Sequence, residues 1–175
     1  NNVLDLKFKN IANTHVVKLG NEILALWEAA GPHALNPNNL ETIGLTTLKG
    51  VLKPNEAMFS MALKQGKNIG MLVTFENSIK VMSQEFYEMA KTINNTATLN
   101  VTLVEDAISS LKQGLVDEHN RLIADTAKEL KDCDVLMLAQ FSMANAWSAV
   151  SEQLDIPILT APDAAAKLMK QKILG

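Results

Sequence analysis

Five consecutive residues, Val135-Leu136-Met137-Leu138-Ala139, are apolar, and this run limits the fold more than any other stretch of the chain. A strand with one wet face alternates apolar and polar side chains. A run that is apolar on both faces needs cover from both sides, as an inner strand of a parallel sheet has. Gln140, Phe141 and Ser142 follow it and lead into a predicted helix. In open α/β sheets ligands lie beyond the carboxyl ends of the strands, where helix N–H groups can hold an anion. The same residue types also cap ordinary strand-to-helix turns.

The surrounding sequence repeats the strand-helix unit. Ile69 to Val73 reads as a short buried strand ending at Thr74. Glu76 to Ile93 follows with Ile79, Met82, Phe86, Met89 and Ala90 at helical spacing, and Asn94-Asn95-Thr96 stops it. Leu99, Val101 and Leu103 alternate as a second strand. Asp106 to Lys112 is a short helix closed by Gln113-Gly114, and Asp117 to Lys131 a longer one with Leu122, Ile123, Ala127 and Leu130 on one stripe. After the central strand come an Ala-rich helix from Met143 to Leu154, a fourth strand from Pro157 to Thr160, and a last helix opened by Pro162-Asp163. The fold class predicted is α/β, a parallel sheet with helices on both faces, preceded by a short β-rich segment.

That segment occupies the first third. Val3, Leu4, Leu6 and Phe8 alternate with polar residues. Thr14 to Lys18 and Ile23 to Trp27 are β-prone runs joined by Leu19-Gly20-Asn21, a hairpin turn. Gly31-Pro32-His33 follows, and a loop is expected at Asn36 to Asn39, before Leu40 to Gly44 resumes an extended pattern. The polar run Leu63 to Asn68 marks the expected boundary, giving units of 1–66 and 67–175.

The chain's formal net charge is −3, and its charges are spread without long like-charge blocks. Neither a nucleic-acid footprint nor a basic amphipathic stretch for a membrane surface stands out. No apolar run reaches the ~20 residues that span a bilayer. One cysteine, Cys133, allows no internal disulfide and suits a reducing compartment, so a cytoplasmic location is expected. The start at Asn1 suggests a cut or fused chain.

Two resemblances attach to particular residues. Lys9 to Thr14, Leu24 to Glu28, Pro32 to Leu35, Asn36-Pro37 and Leu40 to Gly44 together resemble one region of the carotenoid cleavage oxygenases. The resemblance implies a β-propeller enzyme with a four-histidine iron site. It covers about residues 3–57 and stops before a histidine-proline pair, where this chain instead reads Met58-Phe59-Ser60-Met61-Ala62-Leu63. The sequence holds three histidines, His15, His33 and His119, at none of the iron positions that the family uses. This first part is therefore expected to be a carotenoid-oxygenase-like fragment without its iron ligands, about one blade of a propeller.

Residues 67–175 resemble the C-terminal half of the aspartate/glutamate/hydantoin racemase superfamily. The residues that carry it are Ile69 to Thr74, Val104 to Ala107, Asp117 to His119, Cys133 to Ala144 and Ile156 to Pro162. The resemblance implies two similar α/β halves facing one another, each with a thiol that removes or returns the substrate α-proton. Stereoinversion needs such a pair, because one group cannot reach both faces of a planar carbanion. Here Gln140 stands at the thiol position, and an amide has no acid/base function near neutral pH. The resemblance thus implies a domain that binds a small carboxylate at Thr74, Gln140, Phe141 and Ser142 without racemising it. Catalytic residues are not assigned, and no metal or cofactor is expected. A homodimer would place two carboxyl edges face to face.

Other residues read as structural. Cys133 precedes the central strand, at the end away from the site, and reads as a small buried filler. His119, beside Asp117 and Glu118, reads as a solvated first-turn residue. Met82, Met89, Met137, Met143 and Met169 read as packing, Trp27 and Trp147 as buried aromatics. There is no Walker-type phosphate loop, no Gly-x-Gly-x-x-Gly and no Gly-x-Ser-x-Gly.

Overall fold

The two central strands of the parallel sheet are buried on both faces, and their alternate residues divide between two separate cores. In this computed structural model the described residues are 15–19, 22–27, 30–36, 38–39, 41–45, 54–93 and 95–174. The chain forms two compact units, Asn1–Gly50 and Val51–Gly175.

The first unit is a consecutive antiparallel meander, β1 (His15–Leu19), β2 (Glu22–Trp27), β3 (Ala30–Leu35) and β4 (Thr42–Leu45). Leu19 pairs with Glu22, so two positions separate the strands, the spacing that hairpins favour. Gly31 and Pro32 lie inside β3. The register between β2 and β3 shifts there, since Ala25 pairs with His33 but Trp27 with Ala30. Such a bulge is where an inner strand tolerates a proline that cannot donate to the ladder. The alternation at Val3 to Phe8 lies outside the described residues, as does the Trp27 side chain.

The second unit contains α1 (Pro54–Gln65), β5 (Asn68–Val73), α2 (Glu76–Thr92), β6 (Thr98–Leu103), α3 (Ala107–Lys112), α4 (Val116–Ala127), β7 (Val135–Leu138), α5 (Trp147–Ser151), β8 (Ile158–Thr160) and α6 (Ala161–Leu174). Its sheet has the order β6-β5-β7-β8, all parallel. Ile69, Met71, Val73, Val135, Met137 and Ala139 face α1, α2 and α6. Leu72, Leu136 and Leu138 face α3, α4 and α5. Gly70 shares that second face. A Cβ there would come within 3.1 Å of Leu136 and 3.3 Å of the Cys133 sulfur, so the approach is close.

The division between units falls at residues 50 and 51, not at 66 and 67. The cause is α1, which the polar run after Leu63 concealed. Ala57, Met58, Phe59, Ala62 and Leu63 are all buried in the first core, with the Phe59 ring edge-on to Phe86 at 5.7 Å. The polar run is itself half helix, since α1 continues to Gln65.

Smaller corrections have local causes. The helix expected from Met143 to Leu154 is instead a 3-10 turn, Phe141–Ala146, followed by the short α5. The helix expected to reach Lys131 ends as α at Ala127 and tightens into a 3-10 turn, Lys128–Leu130. Trp147 is 47% exposed, with its indole N–H donating to the Ile158 carbonyl at 3.4 Å, and Met169 is 52% exposed. His119 is fully buried. It sits on the stripe that carries Ile123 and Ala127, at spacings of four and eight, so helix geometry turns it inward despite its acidic neighbours.

Candidate functional site

From β5 the chain winds to β6 on one side, then crosses back over β5 to β7 on the other. In sheets of this order, ligands bind where the winding reverses, outside the carboxyl ends of the two inner strands. Thr74 follows β5 and Gln140 follows β7, so both stand at that point.

The geometry there is a hydrogen-bonded tie. Gln140 is buried, and its Oε1 accepts from the Thr74 backbone N–H at 3.0 Å and stands 3.4 Å from the Thr74 hydroxyl. Its Nε2 donates to Ser78 Oγ at 3.1 Å, with Met82 Sδ at 4.0 Å. Ser78 Oγ in turn donates to the Phe75 carbonyl at 2.6 Å. Both ends of the amide are therefore occupied, and they join β7 to β5 and to the first turn of α2. Neither an amide nor an aliphatic hydroxyl ionises near neutral pH, so the tie supplies no ready acid or base.

Phe141 and Ser142 lead out of this buried tie into the 3-10 turn. The Phe141 ring is 46% exposed, and Ser142 is half-buried with no hydrogen bond to its hydroxyl among the described residues. Of the four sequence candidates, Thr74 and Gln140 thus form the inner layer and Phe141 and Ser142 the accessible one. Ser78 belongs to the same tie and was missed by sequence reasoning. A serine in the first turn of a helix is too common to single out.

The opposite edge carries a second polar cluster. Asp134 Oδ2 accepts from the backbone N–H groups of Lys67 and Asn68, each at 2.8 Å, and these bonds hold its carboxyl below the usual range. Asn68 donates to the Asp132 carbonyl at 2.9 Å and accepts from the Asn100 amide at 2.7 Å. Cys133 lies in this cluster, buried as expected, and its burial pushes the thiol up, away from thiolate character.

There are three histidines in the chain, and His119 lies in α4 with Nδ1 2.9 Å from Asn120 Oδ1. Among the described residues no three His, Cys, Asp or Glu side chains are grouped to hold a metal ion, and no helix is long and apolar enough to cross a membrane.

Comparison with known proteins finds two kinds of likeness, one to solved structures and one by sequence. The chain is similar to the glutamate racemase of Francisella tularensis subsp. tularensis SCHU S4, solved in complex with D-glutamate, with a TM-score of 0.53 at 15% identity. That likeness covers 69% of this chain and 46% of the racemase. Glutamate racemase isoform RacE1 of Bacillus anthracis gives a TM-score of 0.54 at 17% identity, over 67% of this chain and 46% of the other. At such identities the likeness is one of fold, and it agrees with the parallel α/β sheet. By sequence, the chain is 48% identical over 56 residues to apocarotenoid-15,15'-oxygenase of Synechocystis sp. (strain ATCC 27184 / PCC 6803 / Kazusa), which is 32% of this chain and 11% of that protein. It is 44% identical over 43 residues to the chloroplastic carotenoid cleavage dioxygenase 7 of Oryza sativa subsp. japonica, 25% of this chain and 7% of that protein. The chain thus spans about a tenth of the length of the curated relatives it matches. The model of the RPE65 family, the retinal pigment epithelial membrane protein family, matches residues 1–152, and the chain belongs to that family.

Proposed function

We propose that the second unit is a racemase-type half that binds a small carboxylate at its carboxyl edge and does not racemise it. The observation that carries this reading is the engagement of Gln140. The residue at the thiol position of the resemblance is a buried amide with its oxygen and nitrogen both hydrogen-bonded to β5 and α2. A group so held neither takes nor returns a proton, and inversion at carbon needs two that do. The Ser142 hydroxyl and the opening of the 3-10 turn supply donors for a carboxylate, beside the exposed Phe141 ring. The solved racemase with bound D-glutamate makes amino dicarboxylates the first ligands to try. Titration calorimetry with D- and L-glutamate and aspartate is expected to show binding that Ser142→Ala weakens. Proton NMR in D2O is expected to show no loss of the substrate α-proton signal. Exchange of that proton, or absence of binding to any of the four acids, would overturn the reading.

A second reading concerns the first unit alone. Its four strands in consecutive antiparallel order are the layout of one propeller blade, and this supports a carotenoid-oxygenase-like blade without an iron centre. Elemental analysis of the purified chain is expected to find iron well below one per chain, and a stoichiometric content would refute it.

A further inference from the structure

We propose that the groove between α1 and α6 is a binding site for a single-chain fatty carboxylate, separate from the carboxyl-edge site. Ala57, Met61 and Leu168 give the groove an apolar floor continuous with the first core. Lys64 on one bank and Lys167 and Lys170 on the other rim it, and no acidic residue lines it. Its volume is about 670 Å³, within the range of small-molecule sites.

The charge pattern selects the ligand. The chain as a whole is negative, with a formal net charge of −3, yet this groove gathers three exposed lysines. None of the three has an ion pair among the described residues, whereas Arg121 on α4 and Lys128 in the 3-10 turn after it are both paired with carboxylates. An apolar strip between two cationic banks complements an anionic head on an apolar tail. The lysine stems extend the apolar surface while their ammonium groups stay in water, so tail and head are both met. The lining extends about two helical turns along α1, from Ala57 to Gln65, or about 12 Å at 1.5 Å per residue. That length matches a medium acyl chain.

The test uses the full chain and dodecanoate below its micelle concentration, followed by calorimetry. Dodecanoate is expected to bind with one site per chain, while dodecylamine, with the same tail and the opposite charge, and acetate, with the head alone, do not bind measurably. Lys167→Glu combined with Lys170→Glu is expected to weaken dodecanoate about tenfold or more, since several exposed ion pairs are lost and replaced by repulsion. The same variant is expected to keep the wild-type melting temperature, because these lysines are exposed and unpaired. Met61→Glu offers an independent removal of the floor and is expected to abolish binding. Equal binding of dodecanoate and dodecylamine, or unchanged affinity in the double variant, would reduce the groove to a nonspecific apolar strip and overturn the proposal. So would a concentration-dependent dimer, seen by sedimentation and broken by the double variant, since a second copy would then be the occupant. Glutamate titrations of the same variants separate this site from the carboxyl edge, where the double variant is expected to change nothing.

Discussion

The Thr74 backbone N–H donates to Gln140 Oε1 across 3.0 Å, so the ends of two adjacent parallel strands are fastened by a side chain after their ladder has stopped. Both residues are buried. Gln140→Ala leaves the Thr74 N–H and the Ser78 hydroxyl without this partner, a loss of about 1–3 kcal/mol. Ser142→Ala, two residues further on, is expected to stay within about 0.5 kcal/mol of wild type, because its hydroxyl holds nothing. Urea unfolding of the two variants distinguishes a structural Gln140 from a solvated turn residue.

The layered sheet was legible because burial on two faces leaves a mark that polar substitution cannot hide. Val135 to Ala139 and Ile69 to Val73 carry it directly, and β6 carries the alternation of an edge strand at Leu99, Val101 and Leu103. The site was legible as a place rather than as a set of contacts. Gln140 and Thr74 are 66 residues apart, and nothing local says that one accepts from the other. His119 failed for a related reason. Its neighbours Asp117 and Glu118 are charged, but burial in a helix follows spacing rather than adjacency, and Ile123 is the residue that shares its face. Helix α1 was hidden because its apolar pairs, Met58-Phe59 and Ala62-Leu63, abut a polar run that reads as a turn.

Asp134 couples the amino edge of the sheet to pH. A carboxylate held below its ordinary range in the folded state gives stability that is whole above its unfolded value, about 3.9, and is lost as pH falls through the lower folded value. Asp134→Asn is therefore expected to be less stable than wild type at pH 7, with the difference closing as pH falls below about 4. A difference that stays constant over that range would assign the effect to packing. Gly66 tests the same contact sterically, since a Cβ on it would collide with Asp134 Cβ and lie 2.6 Å from Oδ2. Gly66→Ala is expected to lower stability by about 1–3 kcal/mol, the range of overpacked sites.

His119 is fully buried, and its Nε2 has no hydrogen-bond partner among the described residues. A buried polar atom left unpaired costs about 1–3 kcal/mol, so removing it returns stability if the space is refilled. His119→Leu is expected to be neutral or stabilising by about 1 kcal/mol, although it gives up the Asn120 contact. The midpoint of urea unfolding at unchanged slope is the measurement. A loss above about 2 kcal/mol would mean that Nε2 is satisfied inside the fold.

The place of α1 in the second unit yields the sharpest division between the two boundaries. Phe59, Met58 and Leu63 are buried against Phe86, Met82 and the face of β5 and β7. Burying one such side chain contributes about 1.5–3 kcal/mol, so three together contribute several. A domain of this size is stable by only about 5–15 kcal/mol, and removing α1 takes most of that and uncovers a sheet face. A fragment of residues 51–175 is therefore expected to unfold cooperatively near the melting temperature of the full chain's second transition. A fragment of residues 67–175 is expected to show no cooperative transition and to bind an apolar dye such as anilinonaphthalene sulfonate. Equal cooperativity in the two fragments would place the boundary at the polar turn and make α1 an appendage of the sheet.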